Sequence, residues 1–272
     1  MALTLTNPNP NIKIVDVIPQ ASSAETGENS EPSLAIDPLD PNDIIAGAFS
    51  RTSTLFYLST DGGATWSPYG TLSSNDKSMA WTADGSAALA VTLTSSSDLS
   101  FYSGTTSSGN FGAPIFTYDG INNTNNTDQP WIRTGPSNHV YIGYNDLGAS
   151  GAQTASVLVS TDGGTTFTPV SLDRVVSPAT VSQDAPSVRL AVDGNTVYAA
   201  FTQYTSLPQT DSAHNDYYNA QVVVVRLDQG GTDGFTALGP GGNGVRRNAS
   251  RRGRAFPDRR RQPCLARSDR AG

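Results

Sequence analysis

Two aspartates in this sequence sit in the same phrase. STDGGATW, residues 59–66, returns as STDGGTTF at residues 160–167, placing Asp61 and Asp162 101 residues apart. A carboxylate flanked by hydroxyls could serve as an acid, a base or a metal ligand. Turn chemistry accounts for the phrase equally well. Asp-Gly-Gly supplies residues tolerant of positive φ, which tight hairpin turns require. The Asp carboxylate and the Ser and Thr hydroxyls can accept backbone N–H groups around the turn. The final aromatic, Trp66 or Phe167, is then expected to project into a packed seam.

A second set of candidates opens a series of similar segments. Asp76, Asp128 and Asp184 head DKSMAWTADG, DQPWIRTG and DAPSVRLAVDG, and Arg133 and Arg189 follow Asp128 and Asp184 by five residues. Such carboxylates more often cap loops than catalyse, and such arginines more often pair with neighbouring acids. Two equivalent guanidiniums are nonetheless the chemistry that grips an anion in two-point fashion. The stretch TQYTSLPQTDSAHNDYYNA, residues 202–220, adds Asp211, His214, Asp216, Tyr217 and Tyr218. Its aromatic and polar side chains suit a sugar, against the plainer reading of a polar surface excursion. One His among carboxylates is a poor metal set. DPLDPND, residues 37–43, is acidic, but its prolines suit a turn. His139, at a strand start, is read as structural. No metal or other cofactor is expected, since phosphate-loop, serine-elbow and metalloprotease motifs are all missing from the sequence.

These residues are placed by a repeat. Segments beginning at Ser30, Asp76, Asp128 and Asp184 align, spaced by 46, 52 and 56 residues. Each continues with a second apolar run and a third, followed by the turn phrase or a decayed form of it, SGTTSSGNF or LDQGGTDGF. The spacing predicts strand, strand, strand, turn, strand in about 50 residues, which is a propeller blade. A single such sheet has two apolar faces and buries them only by stacking on its neighbours. The fold class is therefore all-β, a β-propeller of four-stranded antiparallel blades. Four blades are readable, at residues 30–75, 76–127, 128–183 and 184–244. Residues 1–29 precede them, with a possible ring-closing strand at 11–18, NIKIVDVI.

The pattern S-x-D-x-G-x-T-[WF] resembles the Asp-box, or bacterial neuraminidase repeat, of the sialidase superfamily. Ser59, Asp61, Gly63, Thr65 and Trp66 match it, as do Ser160, Asp162, Gly164, Thr166 and Phe167. The resemblance covers about residues 12–240. It implies that the boxes lie on the hairpin between strands three and four, away from the active face, so that Asp61 and Asp162 are structural. It also implies six or seven blades, so the four readable ones form an incomplete ring. Asp76, Asp128, Asp184, Arg133, Arg189, His214, Tyr217 and Tyr218 are then the candidate binding residues of the opposite, top face. A sialidase needs three arginines, a Tyr activated by a Glu, and an Asp acid. Glu occurs only at Glu25, Glu28 and Glu31, and the first segment reads EPSLAID where the family has Arg-Ile-Pro. The full catalytic set is thus not expected, and no catalytic residue is assigned. The resemblance implies a glycan-binding scaffold. The alternatives are an exo-acting glycoside hydrolase with an incomplete catalytic set, and a protein-interaction propeller.

Charge narrows the partners. The chain has 272 residues and a net charge of −7, but residues 1–244 carry −15 and residues 245–272 carry +8. An acidic body holding two lysines is unsuited to nucleic acid. No apolar run approaches the roughly 20 residues of a membrane span. The Arg-rich tail, where all periodicity stops, reads as disordered or frame-shifted sequence in preference to a basic arm. A bacterial extracellular or cell-surface setting is expected by resemblance, although no standard signal peptide is visible.

Overall fold

The computed structural model describes Val17 and residues 29–50, 53–74, 76–121, 126–147, 155–172, 188–204, 209–210, 216–217, 220–228 and 234–238. Residues 11–18 other than Val17, Asp184, Asp211, His214, Tyr218 and the tail 245–272 lie outside the described residues. Among the described residues every regular element is a strand, and no helix is long and apolar enough to cross a membrane.

The strands form four antiparallel sheets of four. The first holds β1 (Asn29–Ile36), β2 (Asp43–Ser50), β3 (Ser53–Thr60) and β4 (Ser67–Leu72). The second holds β5 (Lys77–Trp81), β6 (Ala88–Leu93), β7 (Leu99–Gly104) and β8 (Phe116–Tyr118). The third holds β9 (Thr127–Gly135), β10 (His139–Asp146), β11 (Ala155–Ser160) and β12 (Thr168–Ser171). The fourth joins β13 (Arg189–Asp193), β14 (Thr196–Tyr204), β17 (Ala220–Leu227) and β18 (Thr236–Leu238). Between β14 and β17 the excursion folds into a small hairpin, β15 (Gln209–Thr210) with β16 (Asp216–Tyr217).

Alternation explains the stacking, because each strand sends successive side chains to opposite faces. In β10, Val140, Ile142 and Tyr144 enter the core shared with the second sheet, whereas Tyr141 enters the core shared with the fourth. In β11, Leu158 joins the former, and Ala155, Val157 and Val159 join the latter. A third core, around Ile45, Phe56, Tyr69, Met79, Trp81 and Phe111, lies between the first and second sheets. Three seams therefore bind four blades, with the first strands β1, β5, β9 and β13 packed in succession. Side chains stitch these strands together. Trp81 Nε1 donates to Ala35 O at 3.2 Å, Ile132 N to Ser78 Oγ at 3.1 Å, and Thr134 Oγ1 to Trp81 O at 2.6 Å. No comparable packing joins β13 to β1 among the described residues, and Val222 on the fourth blade is 75% exposed.

The two repeated phrases lie on the β3–β4 and β11–β12 hairpins and fold alike. Asp61 accepts Thr65 N at 2.8 Å, Thr65 Oγ1 at 2.7 Å and Ser59 Oγ at 2.8 Å. Asp162 accepts Thr166 N at 2.9 Å, Thr166 Oγ1 at 2.6 Å and Ser160 Oγ at 2.8 Å. Ser59 and Ser160 each accept the amide of the second glycine, Gly63 or Gly164, at 2.8 Å. These donors hold Asp61 down to about 2, the Thr65 amide contributing most, and hold Asp162 to about 2, the Thr166 hydroxyl contributing most. The expectation of an aromatic in a seam holds for Phe167, whose ring centroid lies 5.4 Å from that of Phe101 and 4.8 Å from that of Phe116. Among the described residues no such seam is formed at Trp66. That residue stands on the first blade, where the described residues supply no preceding blade, and its indole turns back to Gly63 O at 3.2 Å.

Candidate functional site

The first strands converge at the end of the sheets away from the Asp-box turns. In the first blade Ile36 pairs with Ile44, and Ile44 with Ser59, which leads into the turn, while Ser30 and Ser33 pair toward the far end of β2. Glu31 therefore lies about five strand residues, roughly 16 Å, from that turn. At this far end an open cavity of about 570 Å³ is lined by residues on or next to β1, β5, β9 and β13. Glu31, Asp76, Lys77, Trp131, Arg133 and Arg189 supply its chemistry.

Local backbone irregularity aims two of the strands inward. Ser30 pairs with Phe49 and Ser33 with Gly47, so Glu31 and Pro32 together face a single residue of β2. Asp128 pairs with Asn145 and Trp131 with Gly143, so Gln129 and Pro130 do the same against β10. Such bulges rotate side chains out of the regular alternation. Glu31 and Gln129 adopt φ of 50° and 52°, a left-handed conformation that is unfavourable for a non-glycine residue and doubly so before proline. Two equivalent positions thus hold the same strained geometry at the rim of one cavity.

One wall of the cavity is acidic. Glu31 and Asp76 line it, and Asp128 stands close enough to Asp76 for its charge to act on that carboxyl. Burial, then the charge of Asp76, pushes the Glu31 carboxyl up. Burial likewise raises Asp76, reinforced by the charge of Asp128. Lys77 is buried, its pKa is lowered by that burial, and its Nζ donates to the main-chain carbonyl of Glu31.

The opposite wall is cationic and aromatic. The guanidinium carbons of Arg133 and Arg189 lie 4.6 Å and 4.2 Å from the centroid of the same indole, Trp131. Each contact is worth about 0.5–2 kcal/mol. Burial lowers both arginines, and the charge of Arg189 lowers Arg133 further. Arg133 also donates to Ile132 O at 2.7 Å. Among the described residues the one ion pair is Arg226–Asp228, so neither cavity arginine is neutralised by a salt bridge to a described acid. Trp131 Nε1 is shielded from solvent and has no hydrogen-bond partner among the described residues.

The structure brings together Asp76, Asp128, Arg133 and Arg189 of the sequence candidates. Asp184, His214 and Tyr218 lie outside the described residues, and Tyr217 is described only as a β16 backbone position. His139 meets the Tyr141 hydroxyl at 3.2 Å through Nδ1. Asp37, in the acidic DPLDPND stretch, accepts the amides of Leu39 at 2.8 Å and Asp40 at 3.3 Å, as a turn residue does. Sequence reasoning missed Glu31, Lys77, Gln129 and Trp131 as cavity residues. The signal was available, because Glu31, Lys77 and Gln129 occupy one repeat position, immediately after the aspartate position.

The fold and cavity define a β-propeller of four-stranded antiparallel blades with a polar cavity at the converging first strands. Among solved structures, the chain is similar to the family 93 α-L-arabinofuranosidase of Fusarium graminearum in complex with arabinobiose. That likeness has a TM-score of 0.50 and 10% identity, and covers 71% of this chain and 61% of that one. Other similar structures are the family 74 glycoside hydrolase of Niastella koreensis and a xylan β-1,4-xylosidase of Bacillus halodurans. The first has 20% identity, covers 78% of this chain and 30% of that one, and has a TM-score of 0.46. The second has 9% identity, covers 78% and 42%, and has a TM-score of 0.45. At these identities the likeness is one of fold, and the chain spans about three fifths of the arabinofuranosidase's length. No family model and no curated protein matches the sequence.

Proposed function

We propose that this chain is a sialidase-like Asp-box propeller that acts as a glycan-binding scaffold, with the cavity at its first strands as the site. The observation that carries the reading is the gathering of two guanidiniums, neither in a salt bridge with a described acid, at the Trp131 ring. Two guanidiniums without a salt bridge to a described acid suit an anionic substituent, carboxylate or sulfate. The carboxyls of the facing wall suit sugar hydroxyls, and about 570 Å³ falls in the range of small-ligand sites. An acidic glycan met outside a bacterial cell or at its surface fits this chemistry and the Asp-box resemblance together.

The second reading is a sialidase-type glycoside hydrolase, favoured by the carboxyls in the cavity. It is the weaker one, because a sialidase-type site needs three arginines and a Tyr activated by a Glu, and the described residues lining the cavity supply two arginines and no Tyr.

A glycan array carrying sulfated and uronate-containing oligosaccharides beside their neutral counterparts tests the proposal. Retention of acidic glycans by the wild type, lost in Trp131→Ala, is expected. Equal retention by both proteins, or none by either, contradicts it.

A further inference from the structure

We propose that this cavity takes a zwitterionic sugar, one that carries a protonated amine as well as an anionic substituent. The anion sits at Arg133 and Arg189, and the ammonium at Glu31 and Asp76. The inference rests on reading the cavity as a glycan site and names the class of sugar it holds. Its basis is that unlike charges line one cavity without neutralising each other. Glu31 and Asp76 line it from β1 and from the residue before β5, and Arg133 and Arg189 from β9 and β13. Among the described residues no salt bridge joins either carboxyl to either guanidinium.

Each wall instead gathers charge of one sign. The charge of Asp128 acts on Asp76, and that of Asp76 on Glu31. On the other wall the charge of Arg189 acts on Arg133, and no charge of a described acid does. Like charges at a partly desolvated surface repel one another, and an arriving opposite charge stabilises them. The arginine wall therefore suits an anion and the carboxyl wall a cation. The protein's own cation on the carboxyl wall is committed, because the buried Lys77 ammonium donates to the main-chain carbonyl of Glu31. Its single charge offsets one of the three carboxylates, Glu31, Asp76 and Asp128, and leaves two. An ammonium brings three donors to those acceptors, where a hydroxyl brings one.

The carboxyls stand on the first two blades and the guanidiniums on the last two, so a ligand with both charges lies across the cavity in one direction. The reversed ligand would set like charge against like, which is a repulsive element of specificity. The Lys77 contact also ties the Glu31 bulge to the second blade before any ligand arrives, and a preformed wall costs less to bind to. Glu31 is exposed and Asp76 half-buried, so the ammonium contact is partly screened and should add about fivefold to affinity.

The test compares the sulfate esters of glucosamine and of glucose, esterified at the same hydroxyl, so that the two differ only in the amine. Both are titrated calorimetrically into the wild type at about pH 6.5, where an amine with a pKa of about 8 is charged. The wild type is expected to bind glucosamine sulfate about fivefold more tightly than glucose sulfate. Glu31→Gln and Asp76→Asn should each shrink that preference while keeping the affinity for glucose sulfate, which also shows that the variants are folded. Unsulfated glucosamine should bind more weakly than its sulfate. Equal affinity of the wild type for the two sulfates overturns the zwitterion and leaves the acidic-glycan reading intact. A preference for the amine that survives both substitutions overturns the placing of the ammonium at this wall. Binding of neither sulfate contradicts the glycan reading and the zwitterion with it.

Discussion

The guanidinium carbon of Arg189, on the first strand of the fourth blade, lies 4.2 Å from the centroid of the Trp131 indole on the first strand of the third. Arg133 stands against the same ring at 4.6 Å. Two like charges at one aromatic ring repel each other, while each is attracted to the ring. An anion beside them would offset that repulsion, which supports the proposed site.

The Asp-box carboxylates work at the other end of the blades. Asp162 ionises at about 2 in the folded chain, against an ordinary 3.8. Its contribution to stability is therefore fully present above 3.8 and is lost as the pH falls through about 2. Asp162→Asn should unfold more readily at neutral pH, and its stability should be flatter with pH across that acid window, as read by urea titrations at several pH values. Unchanged neutral stability, or an unaltered acid slope, counts against a structural role.

The aromatics ending the two phrases should differ. Phe167 packs on Phe101 and Phe116 in the seam, so Phe167→Ala should cost about 2–4 kcal/mol. Trp66 is half-buried with no preceding described blade, and Trp66→Ala should cost about 1 kcal/mol or less. Chemical denaturation of the two variants side by side decides it, and a larger loss at Trp66 contradicts the seam assignment.

The paired glycines should also separate. A Cβ at Gly164, where φ is +89°, would overlap the Phe101 ring, whereas a Cβ at Gly163, where φ is +76°, would meet nothing nearer than Asn138 Cβ at 3.8 Å. Gly163→Ala should cost about 1–2 kcal/mol for its backbone alone, and Gly164→Ala should cost more because the seam is overpacked as well. Thermal unfolding of both variants checks the order.

The blades were legible because their signal is periodic. Val140, Ile142 and Tyr144 alternate with Tyr141 as a strand buried on both faces must, and the turn phrases carry the Gly-Gly pairs their φ values require. Asp76, Asp128, Arg133 and Arg189 could be placed at one end by repeat equivalence alone. The rest of the cavity depended on exceptions to periodicity. Glu31 and Gln129 take left-handed backbone immediately before proline, a combination local preference argues against, and it arises only because the bulged strands are held by their partners. The β15–β16 hairpin lay inside what reads as a polar loop, since two-residue strands leave no periodic trace. Trp66 followed the pattern of Phe167, but its surroundings are set by which blades adjoin it, which no single repeat encodes.

The most direct measurement is a calorimetric titration of cellobiose sulfate into the wild type, Arg133→Ala and Arg189→Ala at about pH 5 and at two salt concentrations. The account predicts that each substitution weakens binding at least about tenfold and flattens its salt dependence, since each removes one charge-assisted contact to the anion. Both variants should stay folded, losing no more than about 2 kcal/mol, the worth of the Trp131 contact each gives up. Wild-type affinity retained in both variants, or binding that ignores salt, would contradict the assignment of the cavity.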